Sequence, residues 1–266
     1  MSDHLSAGVV PLDDGRLLLR GVAAGLCRWL DERLLEMARQ AGAEECRFPA
    51  TVGHETLARA DFFTSFPDGA TALGEAPPRY LLNPAVCYHA YALLADRPLA
   101  GRVVLTAAQS CFREGDRGSG SLARLWEFTM REIVFLGPAG WVAEQRDGWA
   151  ARAEAWAAEL GLRGSLAPAT DPFFGTAGDS PESVGRGRRL LQQVKGLKLE
   201  LRLDYAGEPL AAASFNRHEA FFGRRFGIAF EGADAHSGCA AFGLERWALA
   251  FLAQRGERAA SEMIRC

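Results

Sequence analysis

The stretch AGRVVLTAAQSCFR (100–113), then EGDRGSGS (114–121), then LWEFTMREIVFL (125–136) decides the fold. Ala100 to Arg113 carries β-branched residues in its first half and reads as a strand. Glu114 to Ser121 is polar, with Gly115, Gly118 and Gly120, and reads as a loop. Leu125 to Leu136 returns as a second strand. Two long strands joined by a Gly-rich tip predict an antiparallel hairpin.

Working outward, Leu17 to Ala41 reads as a helix, with Leu26, Leu30, Leu34, Leu35 and Met37 at near-helical spacing and Gly42 as its stop. Glu45 to Thr51 reads as a short strand. Pro49 within it cannot donate a ladder hydrogen bond, so this strand lies at an edge or ends there. On the other side, Gln145 to Leu160 predicts a helix with Trp149 and Trp156 on one face. Thr176 to Gly187 predicts a loop. Leu197–Tyr205, Ala211–Asn216 and Phe226–Phe230 predict strands, and a last helix runs from Leu244 to about Arg255. Hairpin-like pairs outnumber strand-helix-strand units, and no repeat or long linker interrupts them. The expectation is one α+β domain over residues 1–266, built on a mainly antiparallel sheet flanked by helices.

The chain has 266 residues, 48% hydrophobic and 24% charged, which suits a folded enzyme and excludes a disordered chain. A net charge of -3 argues against nucleic acid as the main partner. No apolar run reaches the length of a membrane span, and residues 1–16 do not read as a secretory leader. The six cysteines (Cys27, Cys46, Cys87, Cys111, Cys239, Cys266) lie too far apart for a disulfide framework. They predict reduced thiols and a cytoplasmic location, with metal binding open to some of them.

Two segments carry candidate chemistry. One is Cys111–Arg113 with the loop and Arg124–Phe128; the other is Phe242–Arg246 (FGLER), which opens the last helix. Arginines grip phosphate oxygens in a planar, bidentate way. Gly243 permits close backbone approach, and the start of a helix favours anions. Phe128 offers a flat face to a purine. Each piece alone is a weak signal.

Their order is informative. Arg47–Pro49 (RFP), Ser65–Pro67 (SFP), Cys87–Tyr88, Cys111–Arg113 (CFR), Phe128–Gly137, Asp171–Gly175 (DPFFG), Ala213–Asn216 (ASFN) and His236–Arg246 (HSGCAAFGLER) follow one another over most of the chain. The series resembles motifs 1, 2 and 3 of class II aminoacyl-tRNA synthetases of the atypical seryl type. More narrowly, it resembles the amino acid:[carrier protein] ligases. That resemblance implies a class II synthetase-like catalytic domain. It would activate a small amino acid, glycine or alanine, with ATP and magnesium, and pass it to a phosphopantetheine thiol.

The resemblance also implies roles. Cys87, Glu132 and Cys239 would hold a zinc ion, and two thiolates with a carboxylate leave a fourth tetrahedral position for the substrate amine. Arg113 would bridge the carboxylate and the α-phosphate, and Arg246 would hold the γ-phosphate. Phe128 would stack on adenine, with Arg124 beside the nucleotide and Glu200 near the magnesium. Ser214 and Asn216 would line the substrate pocket. One departure stands out. The family's second motif reads Phe-Arg-x-Glu, whereas here Glu114 directly follows Arg113, which on a strand points it to the opposite face unless a bulge intervenes.

The partners follow in the same way. No long charged heptad arm precedes Pro49, so tRNA is not expected, and neither is a membrane. The first motif implies a homodimer around Arg47 to Ala50. Arg186, Arg188, Arg189, Lys195 and Lys198, interleaved with Leu190, Leu191, Val194 and Leu197, predict a basic amphipathic helix from Arg186 to Lys198. Such a helix suits an acidic carrier protein. Two other readings stay open: a different acceptor, or a homologue that binds without catalysing.

Overall fold

The computed structural model describes residues 8–169 and 196–265. The Asp171–Gly175 motif, the loop expected from Thr176 to Gly187, residues 186–195 of the expected basic helix and Cys266 lie outside the described residues.

A hairpin of β1 (Val9–Leu12) and β2 (Arg16–Leu19) precedes α1 (Gly21–Gln40). The helix expected from Leu17 therefore starts later. Leu17 to Leu19 pair with Pro11 to Val9 instead, so these residues are claimed by a strand partner. Gly42, at φ 79°, ends the helix as expected.

The expected strand from Glu45 to Thr51 is split. β3 (Glu44–Glu45) adds to the main sheet, while β4 (Thr51–Gly53) joins β5 (Ala72–Leu73) and β6 (Tyr80–Leu82) in a separate small sheet. Pro49 sits in the irregular connection, where no ladder bond is asked of it. α2 (Cys87–Leu94) then leads to the long hairpin, β7 (Val103–Phe112) and β8 (Glu127–Gly137). α3 (Ala139–Glu159) begins at Pro138, well before the expected Gln145, and buries Trp149 and Trp156 as anticipated.

β9 (Gly164–Ala169), β10 (Lys198–Tyr205), β11 (Glu208–Glu219) and β14 (His236–Gly243) complete the main sheet. The expected strand from Phe226 to Phe230 is mostly absent, because Phe221–Phe226 form a short helix and just Ala229–Phe230 (β12) are extended, paired with β13 (Ala233–Asp234). α4 (Leu244–Ile264) kinks at Gly256, whose φ is 79°, so its first segment ends near the expected Arg255. Among the described residues, no helix is long and apolar enough to cross a membrane.

The main sheet has seven strands in the order β3-β7-β8-β14-β11-β10-β9. All pairs are antiparallel except β3 with β7. Period-two alternation divides the side chains between its faces. Ile133, Phe135, Phe215, Ala240 and Phe242 turn toward α1, α3 and α4 and form the main core with Leu26, Leu30, Trp149 and Trp247. The alternating set, including Met130, Glu132, Val134, Cys239 and Ala241, turns the other way, toward α2 and the small sheet. Helices therefore seal one face of the sheet and leave the other to form a cleft. Arg131, on the sealed face, is anchored by Asp31 of α1 through Nε–Oδ1 at 2.7 Å and Nη2–Oδ2 at 2.8 Å.

Candidate active site on the open face of the sheet

The open face carries a cavity of about 350 Å³ and, adjoining it, a smaller one of about 70 Å³. Cys87, Glu132, Cys239, Ser214 and Asn216 line the larger. Phe128, Glu200, Gly243 and Arg246 line the smaller. Arg113, Met130, Lys198, Ser214 and Ala241 line both. Thus the candidate metal donors and the candidate nucleotide contacts, spread over more than 150 positions of sequence, occupy one continuous depression.

Three elements bring the donors together. Glu132 is flanked on neighbouring strands by Ala107 and Ala241, whose small side chains leave room above the sheet. Cys239 lies beyond Ala241 on β14. Cys87 opens α2, and its backbone N–H donates to Glu132 Oε2 at 2.9 Å. Both thiols also hydrogen-bond to the carboxylate. Burial pushes the Cys87 thiol up, and the nearby Glu132 and Cys239 push it further. Burial likewise raises the Glu132 carboxyl, against the hydrogen bonds that Cys239 and Cys87 donate to it.

Two thiols and a carboxyl buried side by side repel one another when ionised, and a dication reverses that balance. Among the described residues, no group of three such side chains already stands as a metal cage. The chemistry of the donor set, two sulfurs and one oxygen on the wall of a cavity, nevertheless fits a zinc ion with one open position.

Behind the sulfur of Cys239 stands a polar layer in which Asn216 is joined by His218 and Tyr91, two residues that sequence reading did not single out. Asn216 Nδ2 lies 3.4 Å from it and His218 Nε2 3.9 Å. His218 Nδ1 is 3.0 Å from the Tyr91 hydroxyl. Outer contacts of this kind orient a ligating sulfur. A histidine two residues after Asn216, on the same strand, was the available signal.

On the nucleotide side, Arg113 Cζ lies 5.1 Å from the Phe128 ring centroid. Arg246 is half-buried and donates from Nη1 to the Ala211 carbonyl at 2.8 Å. Burial, then Arg113, push its guanidinium down to about 10, opposed by Asp116 and Glu200. Arg124 is exposed and paired with Asp116 at 2.6 Å. Glu200 sits between Lys198 and Arg202 at 3.4 and 3.0 Å.

Glu114 lines neither cavity. Its carboxylate accepts hydrogen bonds from Thr71, from Trp126 Nε1 at 3.1 Å and from Arg117 at 3.3 Å. It therefore anchors the base of the loop. A short 3₁₀ turn over Glu114–Asp116 carries the chain round, so the acid that enters the cleft is Asp116, nearly fully buried and overlooked in the sequence. Lys198 is a correction: it opens β10 and lines both cavities, so the expected basic helix does not extend to it.

No family model matches the chain. Individual proteins do. Amino acid–[acyl-carrier-protein] ligase 1 of Bradyrhizobium diazoefficiens is 34% identical over 255 residues, covering 84% of this chain and 75% of that protein. The type-2 serine–tRNA ligase of Methanococcus aeolicus is 26% identical, covering 87% of this chain and 51% of that enzyme. Among solved structures, the seryl-tRNA synthetase of M. kandleri in complex with A. aeolicus tRNASec superposes with a TM-score of 0.80 at 22% identity. That match covers 93% of this chain and 55% of the synthetase, so the chain spans about half the length of the synthetases it matches. The fold is that of a class II synthetase catalytic domain.

Proposed function

The chain belongs to the amino acid–[acyl-carrier-protein] ligases, and we propose that it activates glycine or alanine with ATP and transfers the aminoacyl group to the phosphopantetheine thiol of a carrier protein. The observation that supports this reading is the shared cleft: Cys87, Glu132 and Cys239 line one cavity, Arg246 lines the one adjoining it, and Arg113 lines both, all on one face of the sheet.

The chemistry follows from the residues. Cys87, Glu132 and Cys239 would hold the zinc, which when bound accepts the substrate amine and so selects an α-amino acid. Ser214 and Asn216 form the floor beside it. Phe128 supplies a ring face to adenine, and Arg246 meets the triphosphate from the head of α4. Glu200 faces the same cavity and suits the magnesium that accompanies ATP. Arg113 lines both cavities, where a carboxylate must approach the α-phosphate, and its guanidinium offsets the repulsion of two anions. The carboxylate oxygen attacks phosphorus, the bond to the β-phosphate breaks, and pyrophosphate leaves. The carrier's thiolate then attacks the acyl carbon and AMP departs.

The whole chain acts as one catalytic domain in this reading, as a homodimer paired around Arg47–Ala50. Arg47, Pro49 and Ala50 are exposed beside β3, the edge strand of the main sheet, and two-fold pairing would cover that edge. The five described cysteines are free thiols, which suits work in the cytoplasm. The stretch 186–195 would meet the acidic carrier.

ATP–pyrophosphate exchange across the amino acids tests the first step, and label transfer to a holo-carrier tests the second. Exchange with glycine or alanine and a labelled carrier are expected. Charging of tRNA with no labelled pantetheine thiol would replace the carrier by another acceptor.

A further inference from the structure

His218 sits at a bulge. Along the β11–β14 pair, Asn216 stands opposite Cys239 and Arg217 opposite Gly238, but Glu219 comes next opposite Ser237, so β11 carries one residue more than β14 there. A bulge re-aims a side chain, and this one turns the imidazole into the wall of the larger cavity. Phe222 and Tyr91 meet the ring edge to face at 5.0 and 6.2 Å and fix its plane.

The ring bridges two hydroxyls and a sulfur. Nδ1 lies 3.0 Å from the Tyr91 hydroxyl and 3.3 Å from that of Ser237. Nε2 lies 3.9 Å from Cys239 Sγ. Asn216 Nδ2 reaches the same sulfur at 3.4 Å, so two nitrogens converge on it. Tyr91, Ser237, His218 and Cys239 are all less than a tenth exposed, so bulk water does not compete for these contacts. Tyr91 stands one helical turn after Cys87 in α2. The helix that supplies one candidate zinc donor therefore also braces the other.

A zinc-bound sulfur is a thiolate, which accepts hydrogen bonds and donates none. A neutral imidazole has one donor and one acceptor nitrogen. Nε2 must then carry the proton, and Nδ1 accepts from a hydroxyl. Resting on the zinc reading above, we propose that His218 is a positioning residue of the amino-acid site: its Nε2–H donates to the Cys239 thiolate, and Tyr91 and Ser237 hold the ring in that tautomer. The bond draws charge off the sulfur. The sulfur then gives less to the zinc, and the zinc takes the substrate amine more strongly. No proton moves, and the effect of His218 on the reaction passes through Cys239.

The test loads the full chain with cobalt(II), whose sulfur-to-metal charge-transfer band reports the charge on the thiolate. His218→Phe removes the donor and should move the band to longer wavelength. It should also lower zinc affinity by about 10–100-fold and raise KM for the amino acid, with KM for ATP unchanged. His218→Gln, whose amide nitrogen reaches the place of Nε2, should return the band toward its wild-type position. His218→Asn, whose amide stops at the place of Nδ1, should not, and it serves as the donor-free variant should His218→Phe fail to fold. A band that stays in place in cobalt-loaded His218→Phe or His218→Asn overturns the proposal. So does a shift that His218→Gln leaves unrepaired. A wild type that takes up neither zinc nor cobalt overturns the zinc reading itself, and the role of His218 with it.

Discussion

The guanidinium of Arg113 stands over the ring of Phe128, 5.1 Å from Cζ to centroid. The second-motif arginine and the proposed adenine platform are therefore one unit across the β7–β8 hairpin. A cation–π contact of this type is worth about 0.5–1 kcal/mol when exposed. Phe128→Leu should then do two things at once: raise KM for ATP by removing a stacking face, and lower kcat by loosening Arg113. Phe128→Tyr should keep both. Arg113→Ala should reduce exchange by about 10²–10³ or more. Unchanged exchange kinetics in Phe128→Leu would contradict the pairing.

The zinc prediction follows from the buried trio. Cys87, Glu132 and Cys239 are each less than a tenth exposed and hydrogen-bonded together. Elemental analysis of protein purified without added metal should give one zinc per chain. Cys239→Ser should lose most of it, since one fewer thiolate weakens binding sharply. Zinc retained at the same affinity in Cys239→Ser would place the ion elsewhere.

The hairpin that decides the fold was legible because its β-branched residues and Gly-rich tip are local signals. β14 was not read as a strand, although it lies in the middle of the sheet. His236–Gly243 is buried on both faces, so it shows small and apolar residues without alternation. The strand–helix boundary at Leu19 was missed because the leucines of β2 continue the leucine pattern of α1. Arg113 and Arg246 gave a weak local signal as candidates, whereas Cys87, Glu132 and Cys239 were singled out through resemblance to a family, not through spacing. Asp116, Lys198 and His218 were missed for a physical reason: a lone charged or polar residue on a strand or loop has no signature until the fold brings its neighbours round it.

Arg131 and Glu132 are adjacent in β8 and face opposite ways. Arg131, 3% exposed, is gripped by Asp31 in a bidentate pair. Removing Asp31 strands a buried guanidinium under the sheet. Asp31→Ala should cost about 3 kcal/mol, the lower end for breaking such a pair because Asp31 itself is partly exposed. Urea unfolding should show the loss as a lower midpoint with little change in slope. A change below about 1 kcal/mol would mean that the packing of α1 holds β8 without the pair.

Glu114 gives a pH dependence. The Thr71 hydroxyl first, then Arg117 and Trp126, hold its carboxyl below the usual value, against the opposing effect of burial. A carboxyl depressed in the folded state contributes stability at pH above its unfolded value. That contribution fades as the pH falls through the folded one. The window therefore lies below about pH 4.5. The side chain is partly exposed, so the effect should be modest, about 1 kcal/mol or less. Glu114→Gln should be less stable than wild type at neutral pH, and the two curves should converge as the acid range is entered. A constant gap down to pH 3 would show that the carboxylate's charge is irrelevant to the loop's anchorage.

Amino-acid choice should be set by an aromatic wall. Phe66, Tyr88 and Phe222 line the larger cavity together with Cys87 and Cys239. Tyr88 and Phe222 are each 1% exposed and packed edge to face, so they are fixed parts of the core. Phe66 is half-buried and stacked on Phe62 at 5.1 Å. It is the least buried of the three, so cutting it back disturbs the core less than cutting back Tyr88 or Phe222. A Cβ on Gly69 would come within 2.6 Å of the Phe66 Cβ, so the glycine lets the chain close tightly behind the ring. Amine recognition is indifferent to the side chain, so exclusion of larger substrates must come from this volume. A missing methyl costs a substrate about 1–3 kcal/mol, whereas a surplus one meets a wall. Wild type should thus use glycine and alanine and reject valine. Phe66→Ala should raise kcat/KM for valine relative to alanine by about tenfold or more, leaving glycine almost unaffected. Exchange assays with the three amino acids decide it. If the valine-to-alanine ratio does not move, Phe66 does not bound the substrate and the selecting wall lies elsewhere in the cleft.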